Sequence, residues 1–314
     1  MLKRIKRQFQ NGGLRGVAIA VQSKVLHLCD RLKAHFIAMY VDCQKLEYGL
    51  NKEEERNPKV IVSLTSFPAR FPSLHICIKS IMRQSYKPDK IVLYLDDTSK
   101  EQVGDNLLSL VSHGLEIVYV SENIRSHTKY FFAMQQYPKD IIIVIDDDMY
   151  YPKNMIEQLM QSYRKNPKAI SARRVTKMVS DRRGKLASKS TFQPHCRSIT
   201  EPSMQLFIVH CGGTLYPPLI EKCLSENVFD IDQIRDLCDS IADDAWLTFM
   251  ALRASTPIVW VPSRGKNYGL ISLSTSHIAS ISVGANEEGG HIDIVFEKLE
   301  EYYSFNPAEK FSLN

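Results

Sequence analysis

The chain has 314 residues, 44% of them hydrophobic, which suits one large α/β domain or two smaller ones and argues against wholesale disorder. Its 40 basic and 35 acidic residues leave a net charge of +5, too mild to indicate nucleic-acid binding. The seven cysteines are scattered and form no CxxC pair, which argues against a disulfide framework and a cysteine zinc site and predicts a reducing cytoplasm. No apolar run approaches the roughly 20 residues needed to span a bilayer.

Residues 1–57 are predicted to form a basic helical arm, separate from a main domain over residues 58–314. Up to Lys33 the arm has eight Lys or Arg residues against one acidic residue, Asp30. Basic amphipathic helices lie on anionic membrane surfaces or bind partners, but such an arm can also simply pack on the main domain. The sequence leaves both interpretations open.

Short apolar segments alternate with helical patterns in the first half of the main domain. Strands are predicted at residues 59–64, 90–95, 115–120 and 141–145, with helices ending before Pro88 and following residue 154. This alternation predicts a parallel sheet covered by helices on both faces. Because ligands bind beyond the carboxyl ends of such strands, residues 65–70, 96–97 and 146–148 are expected at one edge of the sheet.

The second half of the chain is less regular. Residues 169–205 form a basic stretch that is expected to be loop-like, and residues 206–210 read as a strand that leads into the Gly212-Gly213 turn. Helices are predicted to begin at Asp243 and to close the chain near residues 293–303.

The triplet Asp146-Asp147-Asp148 is the sharpest feature of the sequence. Three carboxylates that directly follow a buried strand repel one another, and a hard cation such as Mg²⁺ or Mn²⁺ relieves that repulsion while also ligating diphosphate oxygens. In an extended chain Asp146 and Asp148 point to the same side. A helix N-cap is the alternative, but one Asp would be enough for a cap.

A second acidic pair and three basic or polar positions are further candidates. Asp243-Asp244 is read either as a helix cap or as a general base that takes a proton from an acceptor hydroxyl. Arg70 and Lys129 follow predicted strands and suit phosphate oxygens. His210 is as compatible with a structural role as with a ligand.

Five motifs, taken together and in this order, resemble the bacterial GT-A glycosyltransferases related to family 2. They are VSLTSFPAR (62–70), QSYKPDKI (84–91), TKY followed by IDDD (128–130 and 145–148), HCGG (210–213) and DDAWL (243–247). The resemblance covers about residues 58–305 and implies a GT-A fold, which is an α/β fold with a Rossmann-like, mostly parallel central sheet flanked by helices. The N-terminal helical arm lies outside it.

The resemblance also implies the ligands and the roles of individual residues. The donor is expected to be a nucleotide-diphospho-sugar, with UDP as the expected nucleotide, bound with Mn²⁺ or Mg²⁺. The residues implied at the donor are Thr65, Arg70, Asp97, Lys129, Asp146 and Asp147. Asp148 and Asp146 would hold the metal, together with a late histidine that is either His277 or His291.

The same resemblance places His210, Gly212 and Gly213 on the acceptor side and makes Asp244 or Asp243 the base of an inverting hexosyl transfer. The acidic motif here is Asp-Asp where the family more often has Glu-Asp, so the choice between the two carboxylates stays open. The expected acceptor is a glycan or a lipid-linked sugar in bacterial surface polysaccharide synthesis, in the cytoplasm or at the cytoplasmic face of the inner membrane.

Two other classes of protein fit parts of the pattern. A metal-dependent phosphotransferase or phosphatase could use Asp146 as nucleophile, although Tyr150 stands where the aspartyl-phosphate pattern has Thr or Val. A non-catalytic carbohydrate-binding module could use the acidic cluster as a structural cation site.

Overall fold

The computed structural model describes residues 32–53, 55–219, 222–263, 271–273 and 290–312. Its strands are β1 (Val60–Thr65), β2 (Lys90–Asp96), β3 (Leu115–Val120), β4 (Ile141–Val144), β5 (Met149–Tyr150), β6 (Ile170–Ala172), β7 (Val175–Lys177), β8 (Leu206–Ile208), β9 (Thr214–Tyr216), β10 (Ile258–Trp260) and β11 (Ile271–Ser272). Its helices are α1 (32–43), α2 (Phe71–Met82), α3 (Asp105–Leu108), α4 (Thr128–Gln136), α5 (Met155–Lys165), α6 (Ile231–Cys238), α7 (Asp243–Arg253) and α8 (His291–Tyr303).

Seven strands form the central sheet, in the order β10-β6-β9-β4-β1-β2-β3. Strand β1 pairs in parallel with β2 and β4, and β2 pairs in parallel with β3. Strand β9 runs antiparallel to both of its neighbours, β4 and β6. A mostly parallel sheet flanked by helices confirms the predicted α/β fold class. Every residue of β4 is buried, as its unbroken apolar sequence predicts for a central strand.

The long periodic elements lie where the sequence predicts them, and β8 lies within the strand predicted at residues 206–210, but most of the short strands do not show in the sequence. Strands β6, β9 and β10 have three residues each, which is too short for a hydrophobic period to appear. Strands β6 and β7 interrupt the stretch 169–205 that is expected to be a loop. The central sheet is therefore larger than the four predicted strands of the first half.

The described part of the N-terminal arm packs on the main domain. Ala34 and Val41 of α1 are buried, and Val41 joins the hydrophobic cluster that contains Leu74 of α2. Asp42 lies 2.7 Å from the Lys79 ammonium of α2. The first 31 residues of the arm lie outside the described residues. In the part of the chain that is described, no helix is long and apolar enough to cross a membrane.

Helix α7 carries the second acidic pair into the interior of the molecule. It is apolar on nearly all sides, and Trp246 is fully buried with its Nε1–H donating to the Val228 carbonyl oxygen at 3.0 Å. A helix with this composition has to lie inside a core, so its N-terminus has a fixed position. That N-terminus is Asp243-Asp244, where the positive end of the helix dipole favours carboxylates.

Candidate active site

A cavity of about 550 Å³ lies beyond the carboxyl ends of β1 to β4 and beside the N-terminus of α7. Thr65, Asp96 and Val120 are the last residues of β1, β2 and β3, and all three line it. The rest of its wall includes Ser66, Arg70, Asn123, Arg125, Lys129, Asp146, Asp147, Asp148, Lys189, Asp243, Asp244 and Ile292. The two acidic motifs, which are almost 100 residues apart in the sequence, therefore share one cavity.

The three carboxylates of the triplet have different surroundings. Asp147 is buried and accepts a hydrogen bond from Ser66 Oγ at 2.5 Å while its other oxygen pairs with the Arg70 guanidinium. Arg70 also lies 3.3 Å from Asp148 Oδ2. Burial raises the pKa of Asp148, and the negative charges of Asp146 and Asp147 raise it further. The positive charge of Arg70 lowers this pKa but offsets these effects only in part, so that the pKa is about 6. Asp147 is thus held by protein partners, whereas Asp148 carries poorly compensated negative charge.

The backbone of the triplet is fixed by a buried tyrosine. The Asp146 backbone N–H donates to Tyr151 Oη at 3.0 Å, and Tyr151 Oη donates to the Asp146 carbonyl oxygen at 3.2 Å. Tyr151 is 1% exposed, so this anchor lies within the core beneath the cavity.

Lys129 connects the two acidic motifs. Its Nζ lies 2.7 Å from Asp146 Oδ1 and 2.7 Å from Asp243 Oδ2. Burial alone would lower the pKa of Lys129, but Asp146 and Asp243 more than offset this and raise it well above the usual value. A buried, charged ammonium therefore holds the end of β4 to the start of α7.

His210, which does not line the cavity, contacts both carboxylates of the second acidic pair. Its Nδ1 lies 2.9 Å from Asp243 Oδ2 and also contacts Asp244 Oδ1, and its Nε2 lies 2.8 Å from Tyr216 Oη. Burial lowers the pKa of His210, but the carboxylate of Asp244 and that of Asp243 outweigh burial and raise it to about 9. His210 is therefore protonated at neutral pH and contributes a second buried cation.

The two aspartates at the start of α7 differ in exposure and partners. Burial would raise the pKa of Asp243, but Lys129 and His210 reverse that effect and hold the pKa well below the usual value. The Asp243 side chain is 8% exposed, whereas that of Asp244 is 30% exposed. Asp243 is thus a buried counter-ion, and Asp244 is the carboxylate that solvent or a substrate reaches.

The charges of this contact network suit a divalent cation. Five carboxylates face three cations and leave a formal charge of −2; the groups are Asp146, Asp147, Asp148, Asp243, Asp244, Arg70, Lys129 and His210. Lys129 contacts one oxygen of Asp146 and Arg70 one oxygen of Asp148, so each carboxylate retains a second oxygen for a metal. Oxygen ligands of this kind suit Mg²⁺ or Mn²⁺.

A histidine ligand for such a metal, His291 or His277, stays a prediction. Among the described residues, one trio of potential ligand side chains has its ligand atoms within 4.8 Å of one another, and it consists of His210, Asp243 and Asp244. His291 begins α8, and its Nδ1 lies 4.0 Å from Asp239. The other candidate, His277, lies outside the described residues.

Several predicted site residues lie away from the cavity wall. Asp97 is exposed and does not line the cavity, whereas its neighbour Asp96 does. Neither His210, Gly212 nor Gly213 lines it. The close approach that the diglycine permits is to protein: a Cβ on Gly212 would come within 2.7 Å of the Arg174 Cβ atom. The turn therefore packs against Arg174. His210 influences the cavity through its contacts with Asp243 and Asp244.

Other cavity residues are not predicted by the sequence, because their positions depend on tertiary structure. Lys189 and Ile292 come from the basic stretch and from α8, which meet where the Lys189 backbone N–H donates to Asp293 Oδ1 at 2.6 Å. Arg125, in the loop after β3, has a left-handed backbone with φ of 50°, and its backbone N–H donates to Asn123 Oδ1 at 2.9 Å. No spacing in the sequence predicts these contacts.

We expect Gly213→Ala to destabilise the protein more than Gly184→Ala. Both glycines have left-handed backbones, with φ of 87° and 74°, so both variants carry a conformational cost of roughly 1 kcal/mol. A Cβ on Gly213 would also lie 3.0 Å from Met155 Sδ, whereas nothing lies within 4 Å of one on Gly184. The extra cost of overpacking is about 1–3 kcal/mol, measurable by urea unfolding. Equal losses in the two variants would contradict this account.

Three solved structures resemble the fold at low identity. GalNAc-T7 with UDP, GalNAc and Mn²⁺ is 10% identical with a TM-score of 0.46, covering 72% of this chain and 48% of that one. The mannosyltransferase PcManGT of Pyrobaculum calidifontis with GDP-Man and Mn²⁺ is 12% identical with a TM-score of 0.39, covering 93% and 88%. TarS 1–349 of S. aureus with UDP is 14% identical with a TM-score of 0.43, covering 82% and 75%. The chain thus spans about half the length of the GalNAc-T7 chain.

The sequence comparisons bear on the family directly. No curated protein matches the chain. The model of glycosyl transferase family 2 matches residues 65–218, which contain the end of β1, Lys129, the acidic triplet and the diglycine turn. The resemblance to glycosyl transferase family 2 is thereby confirmed over these residues, and glycosyltransferase activity is the activity that this match supports.

Proposed function

We propose that this chain is an inverting, metal-dependent glycosyltransferase that moves a hexosyl group from a nucleotide-diphospho-sugar to an acceptor hydroxyl. The observation that carries the proposal is the single cavity shared by the acidic triplet and the start of α7, with Lys129 in contact with both. Direct transfer requires the base to lie beside the acceptor hydroxyl while that hydroxyl's oxygen reaches the anomeric carbon of the donor, and a shared cavity meets that requirement.

On the donor side, Asp146 and Asp148 would hold Mn²⁺ or Mg²⁺. When bound, such an ion stabilises the negative charge that gathers on the leaving diphosphate. Arg70 pairs with Asp147 and Asp148 and directs its positive charge to the same region. Thr65 and Asp96, at the ends of β1 and β2, would border the nucleotide; we assign Asp96 this role instead of Asp97 because Asp96 lines the cavity. We retain UDP as the expected nucleotide.

On the acceptor side, we assign the base to Asp244. Asp243 is a poor proton acceptor because Lys129 and His210 both stabilise its charged form. Asp244 lines the cavity with a more exposed side chain, and its Oδ1 is held by His210 and by the His210 backbone N–H at 3.1 Å. The acceptor hydroxyl would give its proton to Asp244 while its oxygen attacks the sugar on the face opposite the diphosphate.

The acceptor is proposed to be a glycan or a lipid-linked sugar in bacterial surface polysaccharide synthesis. The support is the strongly basic N-terminal segment, which suits the cytoplasmic face of an anionic membrane. Lys189 and Arg125 add positive charge to the cavity wall, which suits an anionic ligand.

The test is a panel of nucleotide-diphospho-sugars, each with and without Mn²⁺, scored by thermal stabilisation and then by donor hydrolysis. We expect one nucleotide class to raise the melting temperature only with the metal, and the matching donor to be cleaved. Release of phosphate from simple phosphate esters, with no donor cleaved, would favour a phosphatase instead. A product that retains the anomeric configuration of the donor would remove the base role of Asp244.

A further inference from the structure

Helix α1 has two apolar faces, and in the described part of the chain one of them is buried against the protein while the other is exposed. The inner face carries Ala34 and Val41, which are 4% and 0% exposed. The opposite face carries four large apolar side chains with high exposure: Leu32 at 49%, Phe36 at 66%, Met39 at 54% and Tyr40 at 58%. Helical spacing places these four side by side, so they form one stripe, which we call the outer stripe.

Exposed large apolar residues that occur singly are ordinary, but a contiguous stripe indicates a binding surface. The spacing of this stripe continues upstream in the sequence, where Ala18, Val21, Val25 and Leu28 precede Leu32 at steps of three and four residues. The period therefore extends the apolar pattern well beyond the turns of α1 that carry the outer stripe.

The charge of the sequence that precedes the stripe selects its partner. Residues 1–33 contain eight Lys or Arg residues and one Asp. A second copy of this segment would bring like charges together, whereas an anionic lipid surface attracts them while accepting the apolar side chains. We propose that the outer stripe of α1 docks on an anionic lipid bilayer, with Phe36 and Met39 inserted among the acyl chains near the headgroups.

The contacts of α1 with α2 determine where the cavity would lie relative to a membrane bound by α1. Helix α1 is tied to α2 through Asp42, which lies 2.7 Å from Lys79 and 3.3 Å from His75. Helix α2 in turn follows directly on Arg70 at the cavity. A lipid-bound α1 would therefore hold the cavity at a fixed distance from the bilayer. Lipid binding and donor cleavage are measured separately, so lipid binding by α1 can be tested whether or not the protein transfers sugar.

The test uses the full chain and vesicles of phosphatidylcholine alone or mixed with phosphatidylglycerol, in a sedimentation assay at low and high salt. We expect the wild-type protein to bind the mixed vesicles at low salt and to lose much of this binding at high salt. The double variant Phe36→Glu/Met39→Glu should bind these vesicles at least about tenfold more weakly than the wild type, because two inserted side chains are replaced by charges. Its donor cleavage and melting temperature should match the wild type.

The matched control is Ile294→Glu/Tyr302→Glu on α8, where the two side chains are 47% and 57% exposed. It adds the same charge away from the outer stripe and should bind vesicles close to the wild-type level. Equal weakening by both double variants would reduce the effect to net charge and overturn the role of the stripe. Wild-type protein that stays in the supernatant with mixed vesicles at low salt, or a dimer that Phe36→Glu/Met39→Glu dissociates without any lipid binding, would overturn the proposal as well.

Discussion

Replacing Asp148 by Asn is expected to slow sugar transfer by on the order of 10²-fold or more, because one of the two proposed metal carboxylates is lost. The variant should also lose the metal-dependent part of the thermal stabilisation by a nucleoside diphosphate. The stability of the variant should not be lower than that of the wild type. Burial raises the pKa of Asp148 to about 6, which means that the folded protein disfavours the charged carboxylate at neutral pH. In metal-free buffer the variant should therefore unfold at the same urea concentration as the wild type, or at a higher one.

Asp97→Asn is the matched control for this variant. Asp97 is an exposed acidic residue that follows a neighbouring strand of the same sheet and does not line the cavity. Its replacement should leave transfer within about twofold of wild type, as for most surface changes. If Asp148→Asn transferred sugar as fast as Asp97→Asn with the true donor and metal, the proposed metal site would be wrong.

Asparagine substitutions of Asp243 and Asp244 are expected to separate stability from catalysis. Asp244→Asn should lower transfer by roughly 10²- to 10⁴-fold, the range for a lost general base, with nucleotide binding retained. Asp243→Asn should mainly lower stability. It removes the carboxylate shared by the buried Lys129 and His210 cations, and breaking a buried ion pair from one side costs about 3–5 kcal/mol.

The two variants are each other's control, since they make the same chemical change at adjacent positions of one helix. The measurements are urea unfolding, metal-dependent nucleotide binding and the rate of transfer. A stable but inactive Asp243→Asn protein beside an active Asp244→Asn protein would reverse the assignment of the base.

The sequence predicts the first half of the fold well because its strands and helices are long enough to show a period. Four predicted strands lie within a residue or so of β1 to β4, and the unbroken apolar run of β4 indicates its central position. Strand β9 could not be predicted in the same way. It has three residues, and its antiparallel position between β4 and β6 depends on pairing partners that lie far away in the sequence.

The candidate site shows the same division between local and tertiary information. The triplet is visible as a cluster of like charges, and its place after an apolar strand predicts its position in the fold. What the sequence does not show is which carboxylates are neutralised. Asp147 and Asp243 are buried beside cations from distant segments, whereas Asp148 and Asp244 have more exposed side chains. A one-residue difference in where β2 ends separates Asp96 from the predicted Asp97, and residue patterns do not resolve strand ends that finely.

The position of Lys129 limits how parts of this chain could be exchanged with those of related enzymes. The family match ends at residue 218, while one of the two counter-ions of Lys129, Asp243, opens a helix beyond that point. A chimera that joins the first 218 residues to the C-terminal part of another enzyme would keep the ammonium and would depend on the new part for a carboxylate at the same place. A graft without that carboxylate would leave a buried ammonium with a single partner, so the junction has to be chosen by charge as well as by shape.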